Sequence, residues 1–227
     1  MKFINIFLDF FLPRFCASCN TKLTTEEILI CNICFANIKR ADDERLASEF
    51  NRKFKKDKIL SGFNSLYIFE KEKELQHIIH ELKYSGLFRI GKYIGRLIGD
   101  SLSGWIDNCN IDYIVPVPLH HLKRAERGYN QSFYIAKGIS TVTHIPVENR
   151  IIKRRRFTNT QTELTLLERK ENVSGAFTLR RRKNLRDKNI LLVDDVITTG
   201  STISECARIL LDAGACKIFA VSAAIAD

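Results

Sequence analysis

Two periods of apolar residues alternate along the chain and predict an α/β protein. Apolar residues recur at helical spacing (i, i+3, i+4, i+7) in four segments: 72–86, 88–102, 132–140 and 201–215. Short apolar runs typical of strands precede or separate these segments: 65–69, 112–119, 149–153, 189–193 and 217–226. A polar loop is predicted over 120–131. Strand, loop and helix in repetition predict right-handed βαβ crossovers and a parallel sheet covered by helices on both faces.

The first sixteen residues, MKFINIFLDFFLPRFC, predict a short amphipathic helix that ends near Pro13. They carry one Lys, Asp9 interrupts the apolar run, and no small-residue cleavage site follows, which argues against a secretion signal. No apolar run approaches the roughly eighteen residues of a membrane span. We therefore expect a cytoplasmic protein without a transmembrane segment. Packing of this helix on the body and attachment to a membrane surface are both open.

Four cysteines form two C-x-x-C pairs, Cys16 with Cys19 and Cys31 with Cys34, separated by eleven residues. Two such pairs can complete a tetrahedral shell of four thiolates, so the spacing predicts structural Zn²⁺ in a ribbon-like module. A disulfide framework and a redox-active pair are the alternatives. The expected organisation is a helix and zinc-ribbon module over 1–38, a charged linker or exposed helix over 39–60 and a main domain over 61–227.

The composition is that of a soluble globular protein, with 45% hydrophobic and 27% charged residues, and its charge points to an anionic partner. The formal net charge is +10, and the segment 150–188 holds thirteen Lys and Arg against four Asp and Glu, a surplus of nine. This segment is either a solvated basic loop or a site for anions.

The stretch NILLVDDVITTGST (189–202) predicts a ligand site at the carboxyl end of a buried strand. Asp194 and Asp195 follow the apolar run, and Thr198, Thr199, Gly200, Ser201 and Thr202 lead into a helix N-terminus, whose free amides favour an anion. The alternative is a Thr-rich helix cap, but a cap needs one such residue rather than five. The turn therefore suits a phosphate ester and the acidic pair suits hydroxyl groups or a metal, which together describe a ribose 5-phosphate.

The stretch LLVDDVITTGST (191–202) resembles the phosphoribosyl-pyrophosphate (PRPP) binding motif of type I phosphoribosyltransferases. The whole chain is similar to one branch of them, the ComF family, also called GntX-like or competence-protein-F-like. The closer match rests on four further stretches: LPRFCASCN with CNIC, ELKYSG (81–86), VPVPLHHLKRAERGYNQS (115–132) and RRRFTNTQTELTLLERKENVSGAF (154–177). The resemblance implies a type I phosphoribosyltransferase fold with an appended zinc ribbon.

The resemblance also implies roles for individual residues. Asp194 and Asp195 would hold the ribose hydroxyls with Mg²⁺ nearby, and residues 198–202 would cradle the 5′-phosphate. Lys123, Arg124 and Arg127 would supply charge to a pyrophosphate loop, in which Gly128 allows close backbone approach. A flexible loop over 154–177 would close over PRPP. Its matching positions are Arg156, Thr158, Gln161, Arg169 and Asn172. Asp194, Asp195, Arg127 and Arg156 are the residues expected to act in catalysis.

Two functions of different class are consistent with the sequence. The first is a Mg²⁺-dependent phosphoribosyltransferase that uses PRPP and an acceptor that the residues do not identify. The second is a non-catalytic protein that senses PRPP or binds single-stranded DNA. The family resemblance implies, for either function, a link to DNA uptake in natural competence and to protein partners of that machinery. Few aromatic residues in 150–188 are available for base stacking, which counts against DNA binding. Many relatives carry further cysteine pairs, whereas residues 35–60 contain none, so a second metal is not expected.

Overall fold

A computed structural model describes residues 13–56, 58–156, 175–180 and 184–226. Four strands form one parallel sheet in the order β1-β6-β5-β2. These strands are β1 (Gly62–Phe69), β2 (Tyr113–Pro116), β5 (Asn189–Ile197) and β6 (Lys217–Ala226). The other two, β3 (Ile152–Arg154) and β4 (Phe177–Leu179), make an antiparallel pair beside the sheet. A short segment around Val147 continues the sheet beside β2 by one parallel bridge, from Val147 to Ile114.

Seven helices accompany the strands within the described residues. They are α1 (Asn32–Asn37), α2 (Asp43–Lys53), α3 (Glu74–Tyr84), α4 (Phe88–Asn108), α5 (His121–Arg127), α6 (Gln131–Thr143) and α7 (Ser201–Asp212). In the ranges that the structure describes, no helix has the length and apolar character needed to cross a bilayer.

The sheet separates two apolar cores, because successive side chains of its central strands point to opposite faces. On β5, Leu191 and Val193 pack with α3, α4 and α6, whereas Ile190 and Leu192 pack with α2 and α7. All four of these side chains are fully buried, as the unbroken apolar run predicts. The predicted α/β fold, a parallel sheet flanked by helices with a cysteine module at its N-terminal side, is confirmed.

Two helices on one face of the sheet approach each other at glycines. A Cβ on Gly95 of α4 would overlap the carbonyl oxygen of Ile135, and one on Gly138 of α6 would overlap that of Lys92. Neither position accepts a side chain without moving a backbone. This contact fixes α6, whose first turn reaches the carboxyl end of the sheet.

Three local predictions differ from the structure. The predicted polar loop over 120–131 contains α5. Its seven residues include no Gly or Pro and form a helix, which ends at Gly128 with φ of +77°. Helix α4 continues to Asn108, and β5 continues through both aspartates to Ile197. In α6, Ile135, Ala136 and Ile139 are fully buried, whereas Phe133 is half-buried.

The segment 39–60, predicted to be a charged linker or exposed helix, contains α2 and packs on the main body. Residues 39–41 lie antiparallel to β1, with Ala41 N–H donating to Leu66 O at 3.2 Å and Ile68 N–H to Lys39 O at 2.9 Å. Asp42 caps α2 by accepting from Arg45 N–H at 2.7 Å. Leu46, Glu49 and Phe54 are buried. The helix predicted before Pro13 lies outside the described residues.

Candidate functional site

Both aspartates of the acidic pair have a partner from another element. Asp194 Oδ1 accepts a hydrogen bond of 2.9 Å from Ser132 Oγ, at the start of α6. Asp195 Oδ2 lies 3.0 Å from Lys83 Nζ, near the end of α3. The structure therefore brings three separate segments together at the carboxyl end of the sheet. Sequence reasoning assigned no role to Lys83, although the ELKYSG stretch that carries it matches the family pattern.

The two carboxyl groups have pKa values shifted in opposite directions. Burial, and then the negative charge of Asp195, raise the pKa of Asp194 to about 7. Burial also acts to raise the pKa of Asp195, but the charge and hydrogen bond of Lys83 outweigh it, so this pKa is lowered. Asp195 is therefore ionised at neutral pH, and Asp194 gains or loses its proton near neutrality. Such a pair suits a ligand that brings positive charge or hydroxyl donors.

The turn over 198–202, which we call the phosphate turn, links β5 to α7. Gly200 is the N-cap of α7 with φ of +78°, and it offers no side-chain acceptor to the first amides of the helix. Thr199 Oγ1 and Ser201 Oγ are 2.9 Å apart. Ser201 N–H donates to Thr199 Oγ1 at 3.4 Å, so hydroxyl groups and helix amides lie side by side at this turn. Such a combination of donors suits a phosphate group.

Helix α2 and the Phe54 that caps it support the phosphate turn. Lys53 Nζ donates to the carbonyl oxygens of Thr198 and of Ala226, the latter at 2.8 Å. A Cβ on Gly200 would lie 2.5 Å from Phe54 Cε1, so the ring packs directly against the turn. Glu49, which is 3% exposed, holds Lys53 at 3.0 Å. Sequence reasoning missed this support, since the segment read as a linker.

The predicted pyrophosphate loop lies after β2 and consists of residues 117–128, which we call the basic loop. None of the seven described residues of its helix α5 is buried. Arg127 donates to Gln131 Oε1 at 3.3 Å and lies 5.2 Å over the ring of Tyr84, next to Lys83. Burial, and then the charges of Arg127 and Arg154, lower the pKa of Lys123. The basic loop thus brings cationic groups close to the acidic pair.

The β3–β4 pair brings together the two ends of the predicted flexible loop. Arg154 pairs with Phe177 in the register, and the backbone N–H of Arg156 donates to Ala176 O at 3.4 Å. Gly175 N–H donates to Glu205 Oε1 of α7 at 2.8 Å. Arg156 is therefore anchored at the base of this loop. The other predicted loop residues, Thr158, Gln161, Arg169 and Asn172, lie outside the described residues.

The four N-terminal cysteines form one cluster, as their spacing predicts. The Sγ atoms of Cys16, Cys19, Cys31 and Cys34 all lie within 4.8 Å of one another, and Cys19 and Cys31 are separated by 3.8 Å between their Sγ atoms. Backbone N–H groups of Ser18 and Cys31 donate to Cys16 Sγ at 3.4 and 3.3 Å. All seven cysteines are free thiols rather than disulfides. Four thiolates at tetrahedral spacing fit one Zn²⁺.

Comparison with known proteins agrees with this geometry. Residues 130–225 match the phosphoribosyl transferase domain family. The chain is 35% identical over 144 residues to competence protein F of Haemophilus influenzae, an alignment that covers 62% of this chain and 63% of the relative. The chain is a homologue of competence protein F. It is also 33% identical over 147 residues to DNA utilization protein YhgH of Escherichia coli, with 63% of this chain and 64% of that protein covered.

The ComF relatives are matched over only part of their length. The alignments span just under two thirds of competence protein F and of YhgH. Competence protein ComFC of Bacillus subtilis matches at 31% identity, over 44% of this chain and 39% of that protein.

Solved structures are similar to the chain at lower identity. Glutamine PRPP amidotransferase from B. subtilis superposes with a TM-score of 0.40 at 21% identity, covering 59% of this chain and 26% of that chain. Purine phosphoribosyltransferase from Pyrococcus horikoshii superposes with a TM-score of 0.38 at 18% identity, covering 57% and 71%.

Proposed function

We propose that this protein belongs to the ComF family, binds PRPP at the carboxyl end of β5 and acts as a phosphoribosyltransferase linked to DNA uptake. The observation that carries the proposal is the position of the phosphate turn directly after the acidic pair on one strand. A sugar phosphate that also bears a pyrophosphate group is complementary to this turn, to the carboxylates and to the cations of the basic loop.

Each part of the site has a distinct role in the proposal. Residues 198–202 hold the 5′-phosphate through helix amides and hydroxyl groups. Asp194 and Asp195 accept hydrogen bonds from the ribose hydroxyls. The side chains of Lys123, Arg124 and Arg127 neutralise the pyrophosphate, and Gly128 lets the backbone approach it. Arg156, with Thr158 and Gln161, closes over the sugar.

Loss of pyrophosphate from C1 of PRPP builds positive charge on the sugar and negative charge on the leaving group. Cationic side chains placed in advance near the leaving oxygens lower the barrier to this separation, because they need not reorganise during the reaction. When bound with PRPP near Asp194 and Asp195, Mg²⁺ would supply further neutralisation of the pyrophosphate. The ion pair of Lys83 with Asp195, 3.0 Å apart, holds that carboxylate ionised before the ligand arrives.

The cysteine cluster supports a structural Zn²⁺ in the same proposal. Four protein thiolates would fill the coordination shell, so this metal would stabilise the module rather than act on a substrate. The cluster belongs to the same apolar core as α3, which carries Lys83. Free thiols suit the reducing cytoplasm, where we place the protein and its partners in the competence machinery.

Pyrophosphate release tests the catalytic part of this proposal. The purified protein is incubated with PRPP and Mg²⁺ and with a panel of nucleobases and other nitrogen nucleophiles, and pyrophosphate is measured. We expect release with at least one acceptor, and its loss when Asp194 and Asp195 are both changed to Ala. Exchange of Lys217→Ala, at the opposite end of the sheet, should leave it unchanged. Release that the double substitution does not affect would contradict the assignment.

A second candidate function is a non-catalytic protein that binds PRPP or single-stranded DNA. It is favoured by the basic surplus of 150–188 and by relatives whose names refer to competence and DNA utilization. It predicts a salt-sensitive affinity for single strands that survives the change of both aspartates to Ala and falls when Arg154, Arg155 and Arg156 are neutralised. Pyrophosphate release with any acceptor would reject the non-catalytic form.

A further inference from the structure

A cavity lies between the basic loop and the β3–β4 pair. No residue of the acidic pair or of the phosphate turn lines it. Its volume is about 390 Å³, within the usual range for small-molecule sites. Its cationic lining comes from Arg124, Lys153, Arg154 and Arg180, and its aromatic lining from Tyr129, Phe133 and Tyr134. No Asp or Glu of the described chain lines it. The cavity therefore combines positive charge with aromatic faces.

The cationic side comes largely from the basic segment 150–188. Lys153 and Arg154 lie on β3, and Arg180 follows β4. The guanidinium of Arg154 lies 5.2 Å over the ring of Phe177, which holds it against the hairpin. Because the two strands are paired, charges that are about 26 residues apart in the sequence reach one space.

The aromatic side comes from the start of α6 and the residues just before it. Tyr129 donates its hydroxyl to the carbonyl oxygen of Leu82, which fixes its ring. Tyr134 meets Tyr129 and Phe133 edge to face, with both ring centroids 5.4 Å away. The basic segment is poor in aromatics, but the fold supplies them from another part of the chain. In the folded protein, aromatic rings that could stack on a base therefore lie beside the cations of the basic segment.

The cavity adjoins the proposed PRPP site, but neither Asp194 nor Asp195 lines it. Ser132 donates to Asp194 at 2.9 Å, whereas the next residue, Phe133, lines the cavity. Successive residues of a helix point about 100° apart, so the first turn of α6 stands between the two sites. Arg124 and Gly128 belong to the basic loop and also line the cavity.

We propose that this cavity binds one nucleotide unit, with the base against Phe133 and Tyr134 and the phosphate at Lys153 and Arg180. Aromatic rings next to cations are the usual means of holding a nucleotide without reading its sequence, since every base has a stacking face and every unit a negative charge. A purely anionic ligand would make no use of the aromatic side, and a neutral aromatic ligand would make no use of the cations. Both a free nucleotide and a nucleotide within a single strand have this chemistry.

Binding of two probes tests the proposal and distinguishes these sources. Fluorescence anisotropy with labelled oligo(dT) measures binding of a strand, and calorimetry with dTMP measures binding of a free nucleotide. We expect at least one probe to bind, with affinity at least tenfold lower after the joint change Lys153→Ala and Arg180→Ala. The matched control, Lys217→Ala with Arg96→Ala, removes the same charges from exposed positions outside the basic segment and should change affinity less than twofold.

A separate variant tests stacking without removing charge. Phe133→Leu keeps an apolar side chain on α6 but removes the aromatic face, and we expect a loss of affinity of about fivefold to tenfold for the bound probe. Circular dichroism of each variant shows whether the fold is kept. Binding of oligo(dT) alone assigns the cavity to a strand, and binding of dTMP alone assigns it to a free nucleotide.

Three results would overturn the proposal: no binding of either probe, equal loss in the cavity and control variants, or unchanged affinity of Phe133→Leu. A competition experiment separates the two sites. Saturating PRPP with Mg²⁺ should leave the probe bound. The substitution Asp194→Asn should lower the affinity for PRPP and leave the affinity for the probe unchanged. Displacement of the probe by PRPP would show that the cavity is part of the PRPP site, whereas failure of PRPP to bind would affect only the proposed function.

Discussion

The phosphate turn and the basic loop lie at the same end of the sheet but are built differently. The turn rests on Phe54 and on the amino group of Lys53, and Gly200 leaves no room between backbone and ring. The basic loop contains α5, none of whose described residues is buried, and a Cβ on Gly128 would meet no atom within 4 Å. One loop is fixed by packing, and the other presents side chains at the surface.

This difference corresponds to the two ends of the proposed ligand. The 5′-phosphate keeps its charge and position throughout a transfer reaction, so a rigid backbone site suits it. The pyrophosphate gains charge as it leaves, and cationic side chains on a solvent-exposed helix can follow it. Substitutions in the turn should therefore reduce stability and binding together, whereas substitutions in the basic loop should reduce binding alone.

The largest effect is expected for Gly200→Ala, compared with Gly128→Ala. Both glycines have positive φ, a conformation that costs an alanine about 1–2 kcal/mol. Only Gly200 also faces a ring, at 2.5 Å from the new Cβ, and such overpacking adds about 1–3 kcal/mol. Urea unfolding should therefore show the greater loss for Gly200→Ala. Equal losses would mean that the turn does not depend on Phe54.

The next largest loss in the free energy of unfolding is expected for Lys53→Met, compared with Arg52→Met. Both side chains pair with Glu49, but only Lys53 reaches the carbonyl oxygens of Thr198 and Ala226. Loss of Lys53 leaves these acceptors without this donor, at a cost of about 1–3 kcal/mol. Arg52, half exposed, should cost less than about 1 kcal/mol. If PRPP affinity falls equally in both variants, the support of the turn by Lys53 is not needed for binding.

A smaller effect is expected from pH, through the acidic pair that joins the two loops. The pKa of Asp194 is raised to about 7, so the stability from its protonated form is complete below the ordinary pKa of an aspartate and is lost as pH rises through 7. The free energy of unfolding should fall between pH 5 and 8 by of the order of 1 kcal/mol, and Asp194→Asn should remove this fall.

Asp195→Asn provides the matched control for this pH dependence. The pKa of Asp195 is lowered, so its contribution to stability is present at neutral pH and is lost in acid. Asp195→Asn should therefore lower the free energy of unfolding at pH 7, whereas Asp194→Asn should not lower it there. The same pH profile for both variants would contradict the assignment of the two protonation states. Thermal unfolding followed over the pH range measures both.

The smallest effect on stability is expected for Arg124→Ala in the basic loop. The side chain is exposed on α5, so the free energy of unfolding should change by less than about 0.5 kcal/mol. Affinity for PRPP should nevertheless fall about tenfold, because the variant loses one of the charges that we propose to neutralise the pyrophosphate. Affinity for ribose 5-phosphate, which has no pyrophosphate, should not change. A loss of affinity for both ligands would place Arg124 at the wrong end of the site.

Features that depend on local sequence were predictable, and features that depend on distant contacts were not. The buried run of β5, the acidic pair and the cysteine cluster follow from periodicity and spacing within short segments. Lys83, Lys53 and Phe54 reach the site from elements that are over 100 residues away in sequence, and no local pattern marks them. The 39–60 segment looked like a linker because charged residues such as Lys53 and Glu49 satisfy one another inside the fold.

Calorimetric titration of PRPP with Mg²⁺ into the purified protein tests most directly whether the strand β5 and its phosphate turn form a PRPP site. We predict saturable binding at one site per chain for the unaltered protein. In the variant with both Asp194→Asn and Asp195→Asn, affinity should fall at least tenfold, and Lys217→Ala should bind like the unaltered protein. No heat with the unaltered protein, or equal affinity in the aspartate variant, would contradict the account.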